Sequence, residues 1–372
     1  MSKSHKKKNK RLGLILLLEI LVFVGLIGGY AWYYFNHTLD LMETDDTPKE
    51  EIDISEAVTE TMTEYTTIAL FGLDTRGNVD MTKPGMAHSD AVLIASINNE
   101  TKEVKLVSVY RDCFLEMAVP EPNTQKFTHA YLLGGPICSV ETLNRNLDLD
   151  ITDYVSVDFR ALTNAIDALG GVTINVKSNE LNNLNINIQE QIRATGIASD
   201  GVWSAGEQTL NGTQATAYAR IRKVGNGDFE RTQRQRAVIA AMVKKAKESN
   251  LSTITQVIEE VFPQIATNMT KSQIISLAKS VFDYELGDNI GFPLANETPT
   301  LGSKGSVVVP CDLLSNVKYL HEFLYPEDAS YSPSADVQRI SAAITAETGY
   351  GDEFTEDKTT EAPTQTNTPS GE

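Results

Sequence analysis

Apolar and β-branched residues gather in short runs through the first half of the chain and in helical stripes through the second. Runs at Thr66–Leu73, Ala91–Asn98, Val104–Tyr110 and Tyr154–Phe159, with a shorter one at Val172–Val176, have the length and composition of strands. The five polar residues from Asn99 to Glu103 join the second run to the third as a hairpin loop would. Three- and four-residue apolar spacing predicts helices at Ser139–Leu147, Arg160–Leu169, Phe229–Ser249, Thr253–Phe262 and Lys271–Phe282, then at Leu313–Leu324 and Ala335–Glu347. Strands come early and helices late, which predicts an α/β body with a mixed central sheet between helical layers. Ser178–Gly206 is polar and irregular and reads as a surface insertion.

The flanks follow other patterns. Leu12 to Phe35 is apolar almost throughout, with Glu19 its only charge. Its 24 residues would span about 36 Å as a helix, enough to cross a bilayer. Six cations (Lys3, Lys6, Lys7, Lys8, Lys10 and Arg11) precede it and Trp32, Tyr33 and Tyr34 close it. By the positive-inside rule this is a single anchor with residues 1–11 in the cytoplasm and the remainder outside. A cleaved signal peptide is the competing reading, but the apolar run is long for one and no small-residue cleavage site precedes the aromatics. Residues 36–65 read as a solvated acidic stalk, 66–350 as the folded domain and 351–372, rich in Thr, Pro and Glu, as a disordered tail.

Charge narrows the function. The formal net charge of −18 hides a more acidic exterior, because 26 basic residues face 49 acidic ones after Phe35. Such a body repels nucleic acid, and no helix-turn-helix pattern is present. Cys113, Cys138 and Cys311 all fall on the outer side. They are read either as a Cys113–Cys138 disulfide with a free Cys311 or as three buried thiols.

The densest chemical signal is Tyr218-Ala-Arg-Ile-Arg-Lys followed by Asp228-Phe-Glu-Arg-Thr-Gln-Arg-Gln-Arg. In an extended backbone Arg220 and Arg222 point to one side. A helix then starts near Asp228, a good N-cap type. Stepping back from its apolar positions Val238, Ala241 and Met242 at helical spacing reaches Gln235 and Arg231, so the stripe turns cationic at its start. Arg231, Arg234 and Arg236 crowd the end of the helix where the dipole is already positive. A phosphate-bearing ligand resolves that conflict; for Arg234 and Arg236, pairing with the chain's many carboxylates is as good an account. Acids also sit where strands run out, at Asp74, Asp90 and Asp112, with Arg76 and Arg111 beside them. Two carboxylates and several arginines could hold a hard cation and a pyrophosphate together.

The set Gly72-Leu-Asp74-Thr-Arg76, Ser89-Asp90, Arg111-Asp112, Lys126-Phe-Thr-His-Ala-Tyr131, Ala219-Arg220-Ile-Arg222 and Asp228-x-x-Arg231-x-x-Arg234-Gln235 resembles the LytR-CpsA-Psr family in residue and order. The resemblance covers roughly Thr66 to Lys247. It implies an α-β-α sandwich whose apolar interior accepts a polyprenyl chain. It also implies an enzyme that moves a glycopolymer (teichoic acid, capsule or related polysaccharide) from a polyprenyl-pyrophosphate carrier to peptidoglycan, with Mg²⁺ or Mn²⁺. In that pattern Asp74 and Asp90 are the metal-side carboxylates, and Arg111, Arg220, Arg222, Arg231 and Gln235 grip the pyrophosphate. Lys126, Arg76 and Arg234 assist, and Asp228 orients Arg231. The chain departs from the family in two places: His88-Ser-Asp90-Ala91 stands where Arg-Ser-Asp-Thr is usual, and Tyr110 where Pro is usual. Hydrolysis of the same lipid-linked substrate, or binding without turnover, are the alternative readings. His129, His37 and His321 read as structural or solvent residues and Trp203 as a loop anchor.

Overall fold

A computed structural model describes residues 37, 40, 42–75, 79–280 and 282–351. In chain order its strands are β1 (Glu43–Thr44), β2 (Tyr65–Leu73), β3 (Ser89–Asn98), β4 (Glu103–Val109), β5 (Phe114–Glu116), β6 (Thr124–Lys126), β7 (Asp153–Asp158), β8 (Val172–Val176), β9 (Gly206–Leu210), β10 (Ile265–Thr267), β11 (Glu285–Phe292), β12 (Asn296–Glu297) and β13 (Val309–Pro310). The α-helices are α1 (Thr128–Leu147), α2 (Phe159–Ala168), α3 (Leu181–Thr195), α4 (Gly212–Ala219), α5 (Asp228–Glu248), α6 (Leu251–Val261), α7 (Lys271–Lys279), α8 (Leu313–Leu324) and α9 (Ala335–Thr348).

A seven-stranded sheet runs β1-β10-β7-β2-β3-β4-β11. The central β2-β3-β4 meander is antiparallel, while β7 joins β2 and β11 joins β4 in parallel. Strand alternation divides the two faces. Ala69, Phe71, Leu73, Val92, Ile94, Val107 and Val109 point into the main core with α1, α8 and α9. Leu70, Leu93, Val155 and Val157 point the other way, toward α2 and α5. The mixed sheet between helical layers is therefore as the residue pattern predicts.

The runs that the sequence shows as strands are strands, each within two residues of its expected ends. Missed were the short β1, β5, β6, β12 and β13, and also β9, β10 and β11. The last reads Glu-Leu-Gly-Asp-Asn-Ile-Gly-Phe, poor in strand formers, and is held by parallel pairing to β4. Ser178–Gly206 is not irregular, since it contains α3, with Leu184 and Ile188 buried. Helix α1 starts at Thr128, eleven residues before the expected Ser139, and bends where Gly135 takes φ 74° ahead of Pro136.

The segment read as a stalk is folded onto the body from Met42 onward. Met42, Ile52 and Met62 are buried, Asp45 accepts a hydrogen bond from the Tyr154 hydroxyl (3.1 Å), and Lys49 pairs with Asp153. These anchors stand singly, so they leave no period in the sequence. Cys113, Cys138 and Cys311 are buried thiols, so there is no Cys113–Cys138 disulfide. No helix among the described residues is long and apolar enough to cross a membrane. The expected anchor 12–35, the basic segment before it and the tail from 352 lie outside the described residues.

Candidate functional site

Sheet register assembles the first bank of the site. Leu73 at the end of β2 pairs with Ser89 at the start of β3, which sets Asp74 close to Asp90 in the sheet. Leu93 pairs with Ser108, so extending that antiparallel ladder brings Arg111 opposite Asp90. The Arg111 guanidinium indeed reaches the Asp90 carboxylate at 2.5 Å, with Asp112 3.5 Å from its Nε. Asp112 in turn pairs with Lys126 (3.3 Å). Between Arg111 and the core, the Tyr110 ring is buried and packs edge-on against Phe229 at 4.6 Å, tying this bank to α5.

The second bank comes from the α4–α5 connection. Helix α4 runs through Ala219, and Arg220 follows it with φ −97° and ψ −3°, so this stretch is not the extended strand the alternation suggested. Helix α5 begins at Asp228 behind Gly227 (φ 65°) at the N-cap, with no side-chain cap bond. Asp228 is therefore the first helical residue rather than the cap. Its carboxylate accepts from Arg222 Nε (3.0 Å) and from Arg231 Nη2 (2.8 Å), which joins the two arginines. Arg231 also donates to the Asp90 carbonyl oxygen at 3.1 Å, closing the gap between the banks. Arg220 lies 4.6 Å over the Phe159 ring and donates to Gln191 of α3 (2.9 Å).

One cleft results. Asp74, Asp90, Arg111, Arg220, Arg222, Arg231 and Gln235 all line it. An adjoining hollow shares Asp74, Asp90 and Arg111 and adds His88, Asp112, Lys126, Thr128 and His129. Burial pulls the Arg231 pKa down to about 10, with repulsion from Arg222 and Arg111 adding to it and Asp228 opposing. Burial also works against the Arg111 charge, but Asp90 and Asp112 outweigh it and leave that pKa raised. Both side chains stay protonated at neutral pH. The Nε–H groups of Arg111 and Arg231 are buried and find no hydrogen-bond acceptor among the described residues.

Arg234 belongs elsewhere. Its Nε donates to the buried Glu180 (2.8 Å), Nη2 to Glu230 (2.8 Å), and the same guanidinium reaches the Ile221 and Val224 carbonyl oxygens. It is saturated inside the fold and does not line the cleft, where a role with substrate was expected. Arg76 lies outside the described residues. Sequence reasoning missed Phe159, Asn183, Ile186, Asn187, Glu190 and Lys223, which also line the cleft. For the α3 residues, the spacing of Leu181, Leu184, Ile188 and Ile192 was the available signal.

Behind the cleft lies an apolar cavity of about 330 Å³ between the sheet, α2 and α5. Leu70, Leu93, Val155, Val157, Leu162, Val238, Ile239 and Met242 are among its walls, and Phe159 and Gln235 are common to both spaces. A cavity so lined gives water few partners and suits a hydrocarbon. Gly72 and Ala91 meet at its edge, where a Cβ on Gly72 would come within 2.9 Å of the Ala91 methyl group.

The profile of the LytR_cpsA_psr family matches residues 29–288. This chain belongs to the LytR-CpsA-Psr family. The match runs well past Lys247, where the residue-level resemblance ended. The chain is 30% identical over 274 residues to a polyisoprenyl-teichoic acid–peptidoglycan teichoic acid transferase, TagU, of Bacillus mycoides, covering 71% of this chain and 83% of that one. To TagU of Bacillus subtilis it is 29% identical over 284 residues, covering 73% and 82%. Among solved structures, protein gbs0355 of Streptococcus agalactiae superposes with a TM-score of 0.61 at 24% identity, covering 75% and 93%. TagV of B. subtilis does so with a TM-score of 0.55 at 23% identity, covering 73% and 99%. These two show a shared fold.

Against the LytR-CpsA-Psr pattern, the exposed His88 sits in the adjoining hollow, not in the arginine cleft, and its Nδ1 meets the Thr128 carbonyl oxygen at 3.3 Å. His129 lies 5.5 Å away, ring to ring, and burial lowers its pKa, with His88 and Lys126 adding to the effect. No group of three His, Cys, Asp or Glu side chains among the described residues could hold a metal by itself. Asp74 and Asp90 offer two hard oxygen donors at the cleft, a set that suits Mg²⁺ bound jointly by carboxylates and substrate phosphates.

Proposed function

We propose that this protein is a phosphotransferase that moves a glycopolymer of the teichoic acid, capsule or related class from a polyprenyl-pyrophosphate carrier to peptidoglycan. The names of its relatives support the reaction. The observation that carries it is the shared wall: a cleft lined by Arg111, Arg220, Arg222 and Arg231 adjoins an apolar cavity through Phe159 and Gln235. A diphosphate esterified to a long hydrocarbon is a ligand with that division of charge. The apolar span Leu12–Phe35 behind its six cations supports anchoring in the cytoplasmic membrane, with the catalytic domain outside.

In this reading the prenyl chain enters the cavity and its diphosphate lies among Arg111, Arg220, Arg222 and Arg231. A sugar hydroxyl of the acceptor attacks the phosphorus nearer the polymer. A new P–O bond forms, the bond to the bridging oxygen breaks, and prenyl phosphate leaves with its electron pair. The hydroxyl proton passes to a rim carboxylate. The arginines neutralise charge that builds on the phosphate oxygens and fix the line of attack. Asp74 and Asp90 would hold Mg²⁺, which supplies further positive charge to those oxygens when bound.

The test is transfer from a lipid-linked donor to peptidoglycan by the full chain in detergent. Asp74→Ala and Arg111→Ala should each lower transfer by at least about a hundredfold. Chelation should abolish it, and Mg²⁺ or Mn²⁺ should restore it. Full activity in either variant overturns the assignment, and release of free polymer in place of wall-linked polymer replaces transfer by hydrolysis.

A further inference from the structure

The cations of the cleft do not line all of it. Beside Arg220, α3 presents Asn183, Ile186, Asn187 and Glu190 to the same space. Their spacing (i, i+3, i+4, i+7) puts them on one helical stripe, while Leu184, Ile188 and Gln191 of the same helix are buried. The stripe is fixed relative to the arginines, because Gln191 accepts from Arg220 at 2.9 Å. Asn187 is oriented by donating to the Ala217 carbonyl oxygen at 3.1 Å.

Charge decides what this wall can face. Glu190 would repel a phosphate placed against it, so a diphosphate is confined to the arginine side. The prenyl chain leaves through Phe159 and Gln235 into the apolar cavity. What remains of such a donor beside the diphosphate is its first sugar, uncharged and rich in hydroxyls. Amide and carboxylate oxygens accept from hydroxyls, amide N–H groups donate to them, and one apolar side chain can cover the C–H face of a pyranose. Ile186, 49% exposed between these polar residues, is placed to do that.

We propose that the Asn183–Ile186–Asn187–Glu190 stripe is the subsite for the neutral sugar esterified directly to the diphosphate. The inference rests on the transferase reading and adds the part of the donor that this chain reads outside its charge. Neither the Asn183 nor the Glu190 side chain makes a hydrogen bond within the fold among the described residues, so both can be changed without breaking the helix.

The experiment compares two probes on the full chain in detergent: geranylgeranyl diphosphate, and the same lipid diphosphate carrying one N-acetylglucosamine. The double variant Asn183→Ala, Glu190→Ala should weaken binding of the sugar-bearing probe about tenfold and leave the sugarless one within about twofold. Ile186→Asp should act in the same direction. Equal losses for both probes, or no loss for either, overturn the subsite while leaving the transferase reading in place. Failure of the unmodified protein to bind geranylgeranyl diphosphate at all removes that reading and the subsite with it.

Discussion

The two faces of the central sheet obey one packing rule and are finished differently. Toward α1, α8 and α9, large side chains such as Phe71, Tyr131, Leu143 and Leu147 are wholly buried and interlock in a single core. Toward α2 and α5, the sheet offers equally apolar residues but the layer above stands off, leaving a cavity. The same contrast recurs within one helix. Arg234 of α5 is saturated by carboxylates and carbonyl oxygens, while Arg231, one turn earlier, keeps a buried Nε–H without an acceptor. Where the fold is complete it yields stability; where it is left incomplete it yields a place for a ligand.

Removing Arg234 gives the largest effect on that contrast. Arg234→Ala strands Glu180, whose side chain is 1% exposed, and should cost roughly 4 kcal/mol of unfolding free energy in a urea titration. Arg231→Ala should cost less than about 1 kcal/mol, because burial already works against its charge, yet it should lower transfer at least about a hundredfold. Equal destabilisation by both would erase the distinction between them.

Next come the faces themselves. Leu143→Ala on the filled side should cost about 3 kcal/mol through the cavity it creates. Ile239→Ala, which only enlarges a space already present, should cost under about 1 kcal/mol and weaken prenyl binding instead. Comparable stability losses would mean that the second face is as tightly packed as the first.

A smaller effect than that of Arg234→Ala or Leu143→Ala comes from pH. His321, on the filled side, sits beneath Tyr331 with its rings stacked at 3.5 Å and its Nε2 bonded to the Leu147 carbonyl oxygen. Burial lowers its pKa to about 4. The unfolded chain therefore binds the proton first as pH falls below about 6.5, and stability declines from there toward pH 4. Between pH 7 and pH 5 the loss should be about 2 kcal/mol. A His321→Gln variant should show a flatter stability profile over that window, and an unchanged slope would remove His321 as its source.

Local pattern was enough for most of the framework. Alternation gave the meander and β7, helical spacing gave α2, α5, α8 and α9, and the polar start of the α5 stripe pointed to Arg231 and Gln235 as site residues. Period fails where an element is held by its neighbours. Strand β11 holds two Gly, one Asp and one Asn and exists through pairing with β4, and Met42, Ile52 and Met62 dock singly where a solvated stalk was expected.

From residue order alone came an anion site built on arginines beside strand-end carboxylates, because charge type and strand ends are local properties. Which arginines serve it was settled by tertiary structure. Arg231 and Arg234 stand three residues apart with the same side chain, and only the third dimension puts Glu180 beside one and a cleft beside the other. The cavity belongs to the fold for the same reason: apolar residues specify that a surface will be covered, and the distance between layers determines whether the covering leaves room.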